Sequence, residues 1–111
     1  MKKIEAVIPP SQLDEAKRAL AGPWIAGLSV TEVKTYGGRS RVALLRGAGF
    51  EADCSPELRL EVVVPDPLVP RVLQDLARCL RGGPGGDGRI VVDPVDEAVR
   101  VRTGERGEDA L

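Results

Sequence analysis

The sequence predicts an α+β domain in which two helices lie on one face of a four-stranded antiparallel sheet, in the order βαββαβ. Three observations carry this. Residues 2–8 and 58–64 alternate apolar and polar side chains with a period of two, as strands with one buried face do. Leu13, Ala16 and Leu20 recur at helical spacing, and Val69, Val72, Leu73, Leu76 and Leu80 do so again. The chain has 111 residues, 42% of them hydrophobic. That is one domain, able to bury roughly 65% of its unfolded surface.

In the first strand Ile4, Ala6 and Ile8 share one face and Lys3, Glu5 and Val7 the other, until Pro9-Pro10 ends it. Ser11-Gln12-Leu13-Asp14 is an S-x-x-D helix start with Ser11 as N-cap, and Gly22-Pro23 stops that helix. Residues 27–36 carry Val30, Thr31, Val33 and Thr35 and read as the second strand. Residues 37–55 have no period, four glycines, and Arg39, Arg41 and Arg46 among apolar residues. A structureless loop of that length inside a small domain is expected to be functional. After the strand at 58–64, Asp66 and Pro67 open the second helix as N-cap and N1, with Pro70 tolerable in its first turn. Residues 89–93 are the fourth strand and 99–103 a short extended piece, while 104–111 are small and charged and read as a mobile tail. There is no internal repeat. The order is ferredoxin-like, and it leaves one sheet face open, with Val63 beside the charged Arg59 and Glu61. A second copy in closed rotational symmetry is the expected cover.

Composition removes several functions. A net charge of −1 and 3% aromatics (Trp24, Tyr36 and Phe50) argue against a nucleic-acid partner. No run of 18 apolar residues and no basic-then-apolar leader is present, so the expectation is a cytoplasmic protein without membrane insertion. Histidine and asparagine are absent, which excludes a Ser-His-Asp or Cys-His device and a histidine-rich metal site. A ferredoxin-like hydrolase of acyl phosphates would need an asparagine beside its arginine to place water. No catalytic residue and no metal ligand set is therefore assigned, and the chain is read as a non-enzyme. Cys54 and Cys79 form no C-x-x-C pattern; Cys79 reads as a small core residue and Cys54 as an exposed loop end.

One constellation does carry chemistry. Gly82-Gly83-Pro84-Gly85-Gly86-Asp87-Gly88-Arg89 combines closely approachable backbone amides with an arginine, and Arg100 and Arg102 follow. Glycines let amides form a concave anion nest, and arginines supply forked permanent cations, which together suit a polyphosphate. If 99–103 is a strand, Arg100 and Arg102 point to the same side. No Gly-Lys-Ser/Thr follows, so this is not a Walker loop. A plain glycine loop followed by a solvated edge strand is the other reading of the same residues.

The motifs Ile4-Glu5-Ala6-Val7-Ile8, Val30-Thr31-Glu32-Val33-Lys34, Glu61-Val62-Val63-Val64-Pro65, Gly86-Asp87-Gly88-Arg89-Ile90 and Arg100-Val101-Arg102-Thr103-Gly104-Glu105 occur in that order along nearly the whole chain. Together they resemble the PII signal-transduction family. The resemblance implies a homotrimer with nucleotide sites in the clefts between subunits, where ATP and ADP compete and AMP is a further candidate. It implies that residues 37–55, with Arg41, Arg46 and Phe50, form an effector loop that engages a membrane transporter or a cytosolic enzyme. Gly86, Asp87, Gly88 and Arg89 would form the phosphate-side loop, with Arg100 and Arg102 reaching phosphates from the neighbouring subunit. Ser29, Glu61 and Val63 would line the adenine and ribose side, and Gly37 and Arg39 complete the nucleotide-binding set.

The departures from the family pattern are as informative. The tyrosine that the family uridylylates falls on Phe50, which has no hydroxyl to modify. The glutamine that helps hold magnesium and 2-oxoglutarate falls on Arg39, whose five donors and no acceptor cannot ligate a cation. The lysine that pairs with the 2-oxoglutarate carboxylate falls on Glu57, and a phosphate-contacting loop arginine falls on Gly38. The expectation is a retained nucleotide cradle and a lost 2-oxoglutarate sensor, with the need for magnesium open and Arg39 a candidate to replace the metal's charge. The alternative is a PII-like sensor retuned to bicarbonate or another nucleotide, outside nitrogen control.

Overall fold

The computed structural model describes residues 1–22, 25, 27–36, 54–81 and 88–111. β1 (Lys2–Ile8), α1 (Leu13–Ala19), β2 (Ser29–Tyr36), β3 (Cys54–Val64), α2 (Val69–Arg81) and β4 (Ile90–Pro94) follow one another along the chain. The strands form one sheet in the order β2-β3-β1-β4, every neighbouring pair antiparallel. Each helix therefore links two parallel strands with a third inserted between them, the ferredoxin-like arrangement that the element order predicts.

Alternation builds the core. Ile4, Ala6 and Ile8 from β1 and Leu60, Val62 and Val64 from β3 are buried on one sheet face beneath Ala16 and Leu20 of the first helical segment and Val72 and Leu76 of α2. The register sets Ile4 opposite Val62 and Ala6 opposite Leu60. Leu73, Cys79 and Leu80 pack against this cluster from the side. Burial, and then the Glu15 and Asp75 carboxylates, push the Cys79 thiol above its ordinary value of 9.0.

Both helix starts differ from the sequence expectation, for one reason. Ser11 lies inside a 3-10 turn, Pro10–Gln12, that begins from an extended Pro9, and no side chain caps it or α1. Asp66 likewise lies inside a 3-10 turn, Asp66–Leu68, that begins from an extended Pro65. In each case the proline carbonyl accepts the closing bond, from Gln12 N–H at 3.0 Å and from Leu68 N–H at 3.0 Å. An extended proline, its φ fixed by the ring, precedes each turn, and a second proline (Pro10 or Pro67) occupies one of its first two positions. The turn therefore starts two residues before the helix start that Ser11 as a cap would set, and one before that set by Asp66, and the capping side chain is displaced. Freed from capping, the Asp66 carboxylate accepts from the Met1 α-amino group at 2.9 Å and from Lys2 Nζ at 3.2 Å. These two bonds, that of the amino group first, hold its carboxyl below the ordinary value of 3.8.

Two boundaries also move. β3 begins at Cys54 rather than at residue 58, so residues 54 and 55 of the expected 37–55 loop belong to a strand. Beyond Leu58, which faces Ile8 at the end of β1, the strand has β2 alone as a neighbour. Pro56 is accommodated there because its missing donor costs least at a sheet edge. Residues 99–103 do not form a strand. Val99 bridges Arg106, Arg100 N–H donates to the Glu105 carbonyl at 2.9 Å, and Gly104 N–H donates to the Arg100 carbonyl at 2.8 Å. This is a tight hairpin with its turn at residues 101–103. The 104–111 segment, expected as a mobile tail, is the hairpin's return arm followed by a 3-10 turn, Gly107–Ala110. Gly104 and Gly107 have φ of 76° and 67° and supply the left-handed conformations that the reversal needs.

Replacing Leu76 by Ala should lower unfolding stability by about 2–5 kcal/mol in a denaturant titration, because the site is enclosed by core on all sides. Asp66→Asn should lower the melting temperature at neutral pH. A carboxyl whose folded-state pKa is depressed stabilises above its unfolded value and loses that contribution as pH falls through the folded one. Wild type and variant should therefore converge in acid, below pH 3.8. Iodoacetamide at pH 7 should label Cys79 more slowly than free cysteine, as measured by peptide mass.

Candidate functional site

The sheet face turned away from the helices carries the odd-numbered residues of β1 and β3. Register sets Lys3 opposite Val63, Glu5 opposite Glu61 and Val7 opposite Arg59. On the outer side β2 sets Ser29 opposite Glu61 and Thr31 opposite Arg59, and β4 sets Val91 opposite Glu5. The Glu5 and Glu61 carboxylates face each other, an arrangement that repels. Diagonal cations offset it. Lys3 Nζ lies 3.7 Å from Glu61 Oε2 and Arg59 Nε 3.1 Å from Glu5 Oε1.

Three expected nucleotide residues come together here. Ser29 and Glu61 are register partners on neighbouring strands, and Val63 follows Glu61 two positions along the same face. Glu61 is not free of partners, since Lys3 holds it. Gly88 and Arg89 are exposed and precede β4 at the other edge of the sheet. Three strand steps separate β2 from β4, about 14 Å at the usual spacing. Within one chain the two groups therefore do not form a single pocket.

The hairpin holds the remaining arginines apart from each other. Arg100 Nη2 donates to the Leu111 backbone oxygen at 2.8 Å, and its Nη1 lies 3.5 Å from Glu105 Oε1. Arg102 is exposed on the turn beside Val101. The two arginines thus sit in a reversal and not side by side on a strand, which corrects the strand-based expectation. Thr103 Oγ1 donates to Glu105 Oε1 at 2.7 Å, so Thr103, Glu105 and Leu111 complete an environment for Arg100 that spacing alone missed. The signal available in the sequence was the Thr-Gly-Glu run, a glycine placed to fold an acid back. Gly37, Arg39, Arg41, Arg46, Phe50, Gly86 and Asp87 lie outside the described residues. Among the described residues no three His, Cys, Asp or Glu side chains converge to hold a metal ion. No described helix is long and apolar enough to cross a membrane.

Comparison with known proteins places this geometry in context. The family model for nitrogen regulatory protein P-II matches residues 1–105. The chain is 46% identical to a nitrogen regulatory protein P-II of Cereibacter sphaeroides and 46% identical to one of Azospirillum brasilense, each over the full length of both chains. It is 43% identical to that of Haemophilus influenzae, again over the whole of both.

The hairpin yields a direct test. A Cβ at Gly104 would meet no atom within 4 Å, so substitution there acts on conformation alone. Gly104→Ala should cost about 1–2 kcal/mol through its left-handed φ. Hydrogen exchange should show it as faster exchange of the Arg100 and Gly104 amides, with the β1 amides unchanged.

Proposed function

This chain belongs to the nitrogen regulatory protein P-II family, and on that premise we propose that it is a non-enzymatic signal-transduction protein switched by adenine nucleotides. ATP and ADP, with AMP a further candidate, bind in clefts between the subunits of a homotrimer, and residues 37–55 carry the nucleotide state to a membrane transporter or an enzyme in the cytoplasm. The supporting observation is the division of the expected site. Ser29, Glu61 and Val63 gather toward one sheet edge, and Gly88 and Arg89 lie at the other, directly before β4. A site split in this way becomes whole when neighbouring copies bring opposite edges together. Ser29 and Glu61 offer a hydroxyl and a carboxylate suited to ribose hydroxyls, Val63 an apolar surface for a base, and the arginines forked donors for phosphates.

Regulation follows by linkage. A loop that adopts one conformation with one nucleotide and another with its competitor changes partner affinity by the difference in free energy between the two bound states. Uridylylation has no acceptor at Phe50. In the family pattern, Glu57 replaces the lysine that would pair with 2-oxoglutarate. Glu57 lies half-buried in β3, opposite Val33, where a second carboxylate would be repelled. This same position favours the second reading, a sensor retuned to a ligand such as bicarbonate or another nucleotide.

A thermal-shift titration with ATP, ADP and AMP, each with and without magnesium, EDTA and 2-oxoglutarate, separates the two readings. Saturable stabilisation by ATP and ADP, indifferent to 2-oxoglutarate, is the expected result. No shift with any adenine nucleotide would transfer support to the retuned sensor. Arg100→Ala should weaken ATP binding by about 1.5–3 kcal/mol in calorimetry, the range for a hydrogen bond to a charged group. If Arg39 replaces the metal's charge, ATP affinity should survive EDTA.

A further inference from the structure

In the hairpin that closes the chain, a cation offered as a phosphate ligand is already engaged by an acid of the same turn. Resting on the nucleotide reading above, we propose that Glu105 is a built-in competitor for the Arg100 guanidinium, so that a polyphosphate reaches Arg100 by displacing this carboxylate. Four contacts define the resting state. Arg100 Nη1 lies 3.5 Å from Glu105 Oε1, and Arg100 Nη2 donates to the Leu111 backbone oxygen at 2.8 Å. Thr103 Oγ1 donates to that same Glu105 oxygen at 2.7 Å, and Glu105 N–H returns a 3.4 Å bond to Thr103 Oγ1.

The arrangement permits exchange without unfolding. The turn is closed by backbone bonds, Arg100 N–H to Glu105 O at 2.9 Å, Gly104 N–H to Arg100 O at 2.8 Å and Gly107 N–H to Ala98 O at 2.9 Å. None of these uses the Arg100 side chain. If the guanidinium turns to an incoming anion, the hairpin keeps its ladder and Glu105 keeps the Thr103 hydroxyl. The contact to be broken is an open one, with the Arg100 and Glu105 side chains 38% and 45% exposed, so water and salt already weaken it. Arg100 has five N–H donors in one plane. The Leu111 bond can therefore persist on one edge while another edge takes a phosphate oxygen. Glu105 then acts as a positioning residue. It holds the guanidinium extended within the hairpin and sets the threshold that an anion must exceed.

The test is calorimetric titration of ATP into the full chain as wild type, Glu105→Gln and Arg100→Ala, at low and at high ionic strength. Glu105→Gln keeps an oxygen for Thr103 and removes the charge. It should bind ATP about two- to fivefold more tightly at low salt, the range an exposed ion pair supplies, and the gain should fade at high salt. A readout without nucleotide accompanies it. Phenylglyoxal should modify Arg100, located by peptide mass, faster in Glu105→Gln than in wild type, which a purely structural glutamate would not produce. If Arg100→Ala weakens ATP binding but Glu105→Gln binds no more tightly than wild type, the competition is overturned and the nucleotide reading stands. If wild type binds no ATP, or Arg100→Ala binds it equally well, the nucleotide reading falls and the inference falls with it.

Discussion

Everything else in this fold depends on the register of the central strand pair, β1 against β3. With Ile4 opposite Val62 and Ala6 opposite Leu60, the apolar halves of both strands lie under the helices. A slip by one residue would carry Glu5, Arg59 and Glu61 into the core and expel the residues that now fill it. Burying those charges without partners costs far more than any surface contact could return. Hydrophobic alternation thus determines more than the core. That register sets Val63 beside Lys3, and the registers of β2 and β4 against this pair set Ser29 beside Glu61 and Val91 beside Glu5, so the open face is composed of the residues that the covered face leaves over.

That open face is neither core nor ordinary surface. Glu5 and Glu61 are held directly opposite each other by backbone pairing, and neither can move away without breaking the ladder. Lys3 and Arg59 sit on the diagonals and neutralise the pair, two cations against two anions. Val7, Val63 and Val91 are interleaved with these charges along the same rows. Such a face tolerates water, since each charge has a partner and remains partly hydrated. It also tolerates contact with another sheet, since valine supplies apolar area between neutralised pairs. The ion pairs add little to the stability of the isolated chain, because exposed pairs contribute about 0–1 kcal/mol. Glu61 is paired toward Lys3 of β1, on the opposite flank of β3 from Ser29.

Most of the fold was legible in the sequence because one-sided burial leaves a periodic trace. The alternation at residues 2–8, the helical spacing of Val69, Val72, Leu73, Leu76 and Leu80, and the order of the elements all follow from that single constraint. Features that depend on backbone conformation were read less well. Ser11 and Asp66 look like caps, but each follows a proline-defined start that recruits it into a 3-10 turn. Cys54-Ser55-Pro56-Glu57 has no alternation, because only β2 flanks that part of β3 and no core selects its side chains. Arg100 and Arg102 look like strand neighbours, and only the positive φ at Gly104 shows that the chain reverses between them and their partners. Of the candidate site, Ser29 and Glu61 were brought together in the sequence only by the family resemblance, and their register pairing is visible only in the structure. The attachment of Arg100 to Glu105 and Leu111 is likewise visible only there, because it joins residues through a turn whose geometry no periodicity encodes.

The hairpin shows how such a turn can hold charge close to solvent without stabilising it too strongly. A buried pair would lock Arg100 in place, since separating desolvated charges leaves each without compensation. An exposed pair contributes no more than about 1 kcal/mol. Hydrogen bonds from a guanidinium to an ionic ligand contribute about 1.5–3 kcal/mol. The difference favours exchange whenever a more highly charged anion comes within reach. Gly104 and Gly107 make this arrangement affordable in backbone terms, because they return the chain so that Glu105 and Leu111 meet Arg100 while the ladder bonds remain independent of its side chain. The guanidinium is thereby kept ordered by contacts weak enough to give way, and the conformational entropy of positioning it has been spent before any ligand arrives.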